Sequence, residues 1–324
     1  ETFCMAVPVK VHKEYDELVD LLLSRGMDVP DREHAIKKIS QVGYYRLSGF
    51  WYPCRIPHIT TDNIRTRLDQ VRPGTNFRAV YDLYLFDKNL RLQMMNALER
   101  IEVYVRSVIA HELGKISPLA YLDDSLINPK HFRPRSHGRP SAREEWINKH
   151  NAEIAKSRED FIKWHENKYE GLPFWVVIEV WDFGLMSKYY AMLKDSYRNR
   201  ILSRLGIAAG NGAIFQNWLS AMNVLRNRCA HHSRIWNKVN EPRLMPLPNE
   251  PYFEQLNMND DAYERMYGMI AVLWFLVKKI GPGSDWIKKV ANLVDNKPNL
   301  PGCNLTAMGL PDNNGFPRHL FDIE

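Results

Sequence analysis

Apolar residues recur at three- and four-residue spacing along most of this chain, the mark of helices with one buried face. The longest such stretch runs from Phe77 to about Gly114, where Leu83, Phe86, Leu90, Met94, Ala97, Ile101, Tyr104, Val105 and Val108 form one continuous stripe. Ahead of it, the pattern predicts a helix from about Lys13 to Arg25, stopped at Gly26, and a second from an Asp31 N-cap to Gly43. Behind it, Ser141 and Glu144 form a capping box that starts a highly charged helix to about Glu170, with a narrow stripe of Ile147, Ile154 and Phe161. Pro173 opens a helix through Trp175, Ile178 and Trp181 that bends at Gly184 and continues to about Leu193. Phe215, Trp218, Leu219, Met222, Leu225 and Cys229 mark the buried face of the next helix. Asp260 and Asp261 cap another that runs through Val277 and ends at Gly281-Pro282, and Ser284 caps a shorter one to Val294. No segment alternates as a strand would, so the chain reads as all-α, a helical bundle.

Between the helices lie long irregular connections. Tyr44 to Arg55 is dense in aromatic and arginine residues and punctuated by Gly49 and Pro53. The simpler reading is a turn whose rings fill the gap between helices, as buried rings commonly do. The alternative is a segment that stacks bases and holds phosphates, with Arg46 as one contact. Residues 56–76 read as a polar connection. Residues 128–140, with three prolines and a glycine among their basic side chains, cannot be regular helix; Arg133 and Arg135 are either phosphate contacts or part of a solvated linker. This gives an N-terminal helical half (1–127), a basic linker (128–140), a second half (141–297) and an extended tail (298–324).

Composition narrows the picture modestly. Apolar residues make up 45% and charged residues 25% of 324 residues, ordinary values for a folded protein. The net charge of +6 favours anionic partners without demanding them. Cys4, Cys54, Cys229 and Cys303 are scattered with no C-x-x-C pair, so they read as reduced thiols of a cytoplasmic protein. Cys229, His231 and His232 lack the second ligand pair that a zinc site needs. No signal peptide is visible, and the longest strongly apolar run, Met269 to Val277, is too short to cross a bilayer. No cofactor and no membrane association are expected.

The candidate chemistry sits in Leu219 to Asn237, which places Arg226, Asn227, His231, His232 and Arg234 in sequence. A guanidinium forks onto phosphate oxygens and an imidazole titrates near neutral pH, so together they can handle a phosphodiester without a metal. A plainer copy lies upstream: Val105-Arg-Ser-Val-Ile-Ala-His111 aligns with Leu225-Arg-Asn-Arg-Cys-Ala-His231, offset by 226 − 106 = 120 residues. In a chain with 25 arginines and 11 histidines the bare Arg-x4-His spacing arises by chance about once, so its placement late in two strong helices is what counts. On a straight helix, residues five apart are rotated by roughly 140°. Arg226 and His231 therefore diverge, whereas Asn227 and His231 share a face. Either each helix bends at its motif, or the arginine of one copy completes a site with the histidine of the other.

Tyr44-Tyr-Arg-Leu-Ser-Gly-Phe-Trp51, Leu83-Tyr-x-Phe-Asp-x-x-Leu-Arg91, Ala97-Leu-Glu-Arg-Ile-Glu-Val103 and Arg226 to Asn237 together resemble the Abi-like family, bacterial abortive-infection proteins of the AbiD/AbiF type. The resemblance covers roughly Lys13 to Asn237 and implies membership of the HEPN superfamily, with two HEPN-like halves. There an Arg-Asn-x3-His motif marks metal-independent ribonucleases, and two motifs can form one composite site. It implies catalytic roles for Arg226, Asn227, His231, Arg106 and His111; His232, Arg234, Arg46, Arg133 and Arg135 are the expected RNA contacts. The first copy departs from the pattern, carrying Ser107 in place of asparagine. RNA is the implied partner, as substrate and as a structured regulator, and a homodimer is an open arrangement. Two other classes stay open: an RNA-binding module without turnover, and a protein-interaction scaffold built on the Ser141–Glu170 helix.

Overall fold

A computed structural model of the chain describes residues 9–135 and 138–323. Two compact units emerge, residues 1–89 with 295–305 and residues 90–294 with 306–324. The first unit starts with α1 (Tyr15–Ser24), which opens on a capping box between Glu14 and Glu17 and buries Val19 and Leu22. In α2 (Arg32–Val42) the Asp31 carboxylate accepts the His34 amide at 2.9 Å, and the helix stops at Gly43, whose φ of 92° suits a residue without Cβ.

Tyr44 to Trp51 form a helix, α3, where a turn was expected. Leu47, Phe50 and Trp51 have helical spacing and all three are buried, while Tyr45 and Arg46 face outward. The next stretch also differs from expectation. Residues 56–76 hold an antiparallel hairpin, β1 (Arg55–Ile59) and β2 (Arg65–Val71), with Pro57 opposite Arg67, Ile59 opposite Arg65 and a bulge between Arg55 and Pro57. Its five-residue connection is closed by the Asn63 amide on the Thr60 carbonyl, with Asn63 at a φ of 59°. The strands are mostly exposed on both faces, so no buried face imposed a period of two on the sequence. Among the described residues the bundle is thus all-α but for this small sheet. Residues 295–305 complete the unit and bring the buried Cys303 thiol to 3.8 Å from that of Cys54.

Helix α4 (Phe77–Gly114) follows the expected bounds and buries the expected stripe except Tyr104, which is half-buried and donates to the Arg204 carbonyl at 3.2 Å. A fully buried Leu or Ile in such a stripe stabilises the fold by about 1.5–3 kcal/mol. Its residues from Leu90 onward belong to the second unit, which continues through α5 (Ala142–Lys156), α6 (Asp160–Lys168), α7 (Phe174–Val177), α8 (Phe183–Met192), α9 (Asp195–Arg204), α10 (Gly212–Ala230), α11 (Pro251–Leu256), α12 (Asp260–Glu264), α13 (Met266–Ile280) and α14 (Trp286–Asp295). Helix α13 is buried on all sides from Met266 to Val277. It is separated from α12 at Arg265, where a single helix was expected. Trp286 donates to the Gln93 carbonyl at 2.8 Å and Arg100 donates to the Ser284 hydroxyl at 2.8 Å, fixing α4 to the start of α14. Residues 298–323 are packed through the buried Leu300, Cys303, Met308, Leu310, Phe316 and Phe321. Among the described residues, no helix is long and apolar enough to cross a membrane.

The charged helix starting at Ser141 breaks at Ser157, and its inward face is Arg143, Trp146 and His150; the expected stripe of Ile147 and Ile154 is only partly buried and Phe161 is exposed. The larger rings win the interior because they join an aromatic cluster with Tyr121, Phe174, Trp181 and Tyr189. At its centre, His150 Nδ1 accepts the Trp181 indole N–H at 3.0 Å. Burial, with Arg143 nearby, pushes the His150 pKa down to about 4, so the ring is neutral at pH 7. An unfolded histidine titrates near 6.5. Its contribution is therefore fully present above pH 6.5 and is lost as pH falls toward 4, up to about 3 kcal/mol. Urea midpoints measured between pH 7.5 and 4.5 are expected to fall with pH in the native chain. A His150→Gln chain, whose amide oxygen can still accept the indole N–H, should show a flatter profile.

Candidate functional site

The site forms where α8 begins. The 3-10 turn Ile178–Val180 ends at Trp181, and Asp182 caps α8 by accepting the Leu185 amide at 2.6 Å. This break points the Trp181 carbonyl and the Asp182 carboxylate out of helical register. Arg106 on α4 donates to that carbonyl and to the Glu102 carboxylate one turn earlier on its own helix. Both partners are largely buried, with 15% of the Arg106 side chain and 13% of the Glu102 side chain exposed. Asp182 pairs with Lys149 of α5 at 2.6 Å.

Helix α10 supplies the other half. It packs against α8 and α9, and Gly184 permits the approach: a Cβ there would lie 3.3 Å from an Asp182 oxygen and 3.4 Å from the Asn223 amide nitrogen. Three residues beyond Asn223 stands Arg226, half-buried, whose positive charge acts on both Glu102 and Asp182. The two carboxylates respond differently. Burial raises the Glu102 pKa and outweighs the pull of Arg106 and Arg226. For Asp182, burial pushes upward but the Lys149 and Leu185 hydrogen bonds and the nearby cations prevail, so it titrates below the usual range. Arg226 itself makes no hydrogen bond or ion pair among the described residues. The two motif arginines thus both act on Glu102 but are used differently: the Arg106 side chain is tied down by hydrogen bonds, and that of Arg226 is not.

The histidines are exposed. Helix α10 ends in a Schellman turn, in which the His232 amide bonds the Cys229 carbonyl at 3.1 Å and the Ser233 amide bonds the Arg228 carbonyl at 2.8 Å. His232 takes the left-handed position with a φ of 57°. His231 is the C-cap, its amide on the Asn227 carbonyl at 2.9 Å, and both side chains are exposed. Beyond the turn Ile235 and Trp236 are fully buried, and Arg91 of α4 donates to the Ser233 carbonyl at 3.2 Å, so the corner carrying His231 is anchored on both sides. His111 on α4 is 60% exposed beside Glu112, whose carboxylate is held below its ordinary pKa by Lys115 and Arg204.

The model of the Abi-like protein family matches residues 37–237, more than half of the chain, and its match ends at Asn237, just past this corner. The chain belongs to the Abi-like protein family. That membership carries a role in abortive infection, the phage-defence response. Neither the curated proteins nor the solved structures yield a match.

In this Abi-like protein the other sequence candidates lie elsewhere. Arg234 is half-buried after the turn. Arg135, in the irregular stretch before α5, is paired with Glu145 at 2.7 Å, and Arg133 beside it is exposed. Arg46 is on α3 in the first unit. Glu102 and Arg106 are four apart in the sequence, a spacing that lets them pair on a helix surface, whereas Asp182, Lys149 and Asn223 are not picked out by the sequence. Asp182 could have been found as an N-cap two residues ahead of Gly184. Nothing in the spacing of Lys149 or Asn223 marks them.

Proposed function

We propose that this Abi-like protein is an endoribonuclease of the HEPN type that cleaves RNA by attack of a ribose 2′-hydroxyl, without a metal. The observation that carries the reading is Arg226, a half-buried guanidinium drawn toward Glu102 and Asp182 but bonded to neither. Such a group can fork onto a phosphate and offset the charge that develops as the 2′-oxygen attacks. His231, exposed at the anchored corner, takes the 2′-hydroxyl proton, and His111 protonates the departing 5′-oxygen. Asn227, one turn before His231 on the exposed side of α10, orients the imidazole or the phosphate. Arg106 acts through its hold on Glu102 and Trp181, which sets the field around Arg226. RNA is the partner, as substrate and as a structured regulator.

The full commitment of Arg106 favours one further possibility, a site that binds RNA with one arginine and does not turn over. Incubation of the protein with RNA in excess EDTA separates the two. The expected products carry 2′,3′-cyclic phosphate and 5′-hydroxyl ends. Cleavage that stops on chelation, or that leaves 3′-hydroxyl ends, overturns the nuclease assignment, and tight salt-sensitive binding without cleavage selects the alternative.

A further inference from the structure

The hairpin of the first unit has no part in the site described above. We infer that one of its faces, together with Tyr52, is a second RNA-binding surface that grips an unpaired strand by its phosphates. The inference takes RNA as the ligand from the functional reading, but its geometry is independent of catalysis.

Residues that pair across an antiparallel ladder point to the same side. Pro57 opposite Arg67 and Ile59 opposite Arg65 therefore place Arg67 and Arg65 on one face, about 7 Å apart along β2. That distance is comparable to the step between successive phosphates of an extended strand. Arg55 reaches the same neighbourhood from β1: its guanidinium and that of Arg67 both lie over the Tyr52 ring, at 5.5 and 5.7 Å from its centre. The Arg67 guanidinium is held there by donating to the Pro53 and Arg55 carbonyls at 3.1 and 3.0 Å. One carboxylate stands nearby, Asp69, and it is shared between Arg55 at 2.9 Å and Arg25 at 2.7 Å. The Arg55 Nε is buried with no hydrogen-bond partner. Arg65, at the open end of the row, is exposed and makes no hydrogen bond or ion pair among the described residues.

The local charge is strongly one-sided. From Tyr44 to Arg72 the chain has five arginines and two aspartates. Apolar exposure accompanies it: Tyr52 is 49% and Tyr45 of the preceding helix 91% exposed. A protein partner would be met by an apolar face with interspersed charge. Arginines on a ribbon, with the exposed Tyr45 ring on the preceding helix, fit the phosphates and unstacked bases of an unpaired strand.

Binding is read by fluorescence anisotropy with an unstructured 2′-O-methyl RNA, which cannot be cleaved by 2′-hydroxyl attack, at several salt concentrations. Arg65→Glu should weaken binding about tenfold and lower the slope of log affinity against log salt by about 0.7 for the lost phosphate contact. Arg65→Gln should give a smaller loss with the same change in slope, and unchanged circular dichroism for both rules out misfolding. Binding within twofold of the native chain with an unaltered slope overturns the inference and leaves the face to a protein partner. A duplex of the same sequence that binds as tightly, and is lost equally on Arg65→Glu, overturns the unpaired-strand claim. The two proposals fail separately. A native chain that does not cleave RNA, but loses binding on Arg65→Glu, sinks the nuclease reading alone. One that cleaves while Arg65→Glu binds normally sinks this one alone.

Discussion

RNA cleavage by the Arg226→Ala and His231→Ala proteins is expected to fall by about 10²- to 10⁴-fold, with folding stability unchanged for His231→Ala and lowered less than by Arg106→Ala for Arg226→Ala. The magnitude follows from what each group does: an unmade charge-assisted contact to the reacting phosphate costs about 10²- to 10³-fold, and loss of a positioned general base about 10²- to 10⁴-fold. These stabilities follow from their surroundings. His231 is exposed, with its backbone rather than its ring making the helix cap. The Arg226 side chain has no bonded partner among the described residues, so its removal strands no hydrogen-bonding group and costs only its charge near Glu102 and Asp182. Single-turnover rates on a fluorescent RNA, alongside urea titrations of each variant, provide the measurement. A rate within fivefold of the native protein for either variant contradicts the assigned roles.

Arg106→Ala should behave in the opposite way, losing about 3 kcal/mol of stability. Its guanidinium satisfies the Trp181 carbonyl and the Glu102 carboxylate in a place where neither meets much water. Truncation leaves a largely buried carboxylate with only the more distant Arg226 to offset it. Adding Glu102→Gln removes that stranded charge, so the double variant should be more stable than the sum of the two single losses predicts. Urea midpoints for the four proteins of the cycle decide this. If Arg106→Ala is as stable as the native chain but inactive, then Arg106 touches substrate rather than holding the scaffold.

Much of this arrangement was legible in the residues themselves. The stripe from Leu83 to Val108 has one interpretation because eight of its members fall on one face, and α4 follows it to both ends. Gly43, the Ser141–Glu144 box and Gly281 stop or start helices for reasons a single residue carries. The hairpin escaped notice because exposed strands need no alternation, although Thr60-Thr-Asp-Asn63 is a fair turn signal. The inward face of α5 was misassigned because a period counts isoleucines and cannot foresee that Trp146 and His150 would stack on Trp181. In the site, the divergence of Arg226 and His231 by five residues was readable, and the structure leaves Arg226 half-buried with its charge felt by Glu102 and His231 exposed. The carboxylates themselves were not readable as a set, since Glu102 and Asp182 meet only through the packing of three helices.

The unwound link between Val180 and Phe183 has a consequence for how this protein can vary. The Trp181 carbonyl is free for Arg106 only because it lies outside any helical ladder, and the Asp182 carboxylate reaches Lys149 only because α8 starts directly after it. Adding or deleting one residue here would rotate the next helix by roughly 100° and carry both groups away from their partners. Irregular surface stretches such as 133–135 impose no such count. A one-residue insertion between Val180 and Phe183 is therefore expected to dismantle the site, whereas one at 133–135 is not.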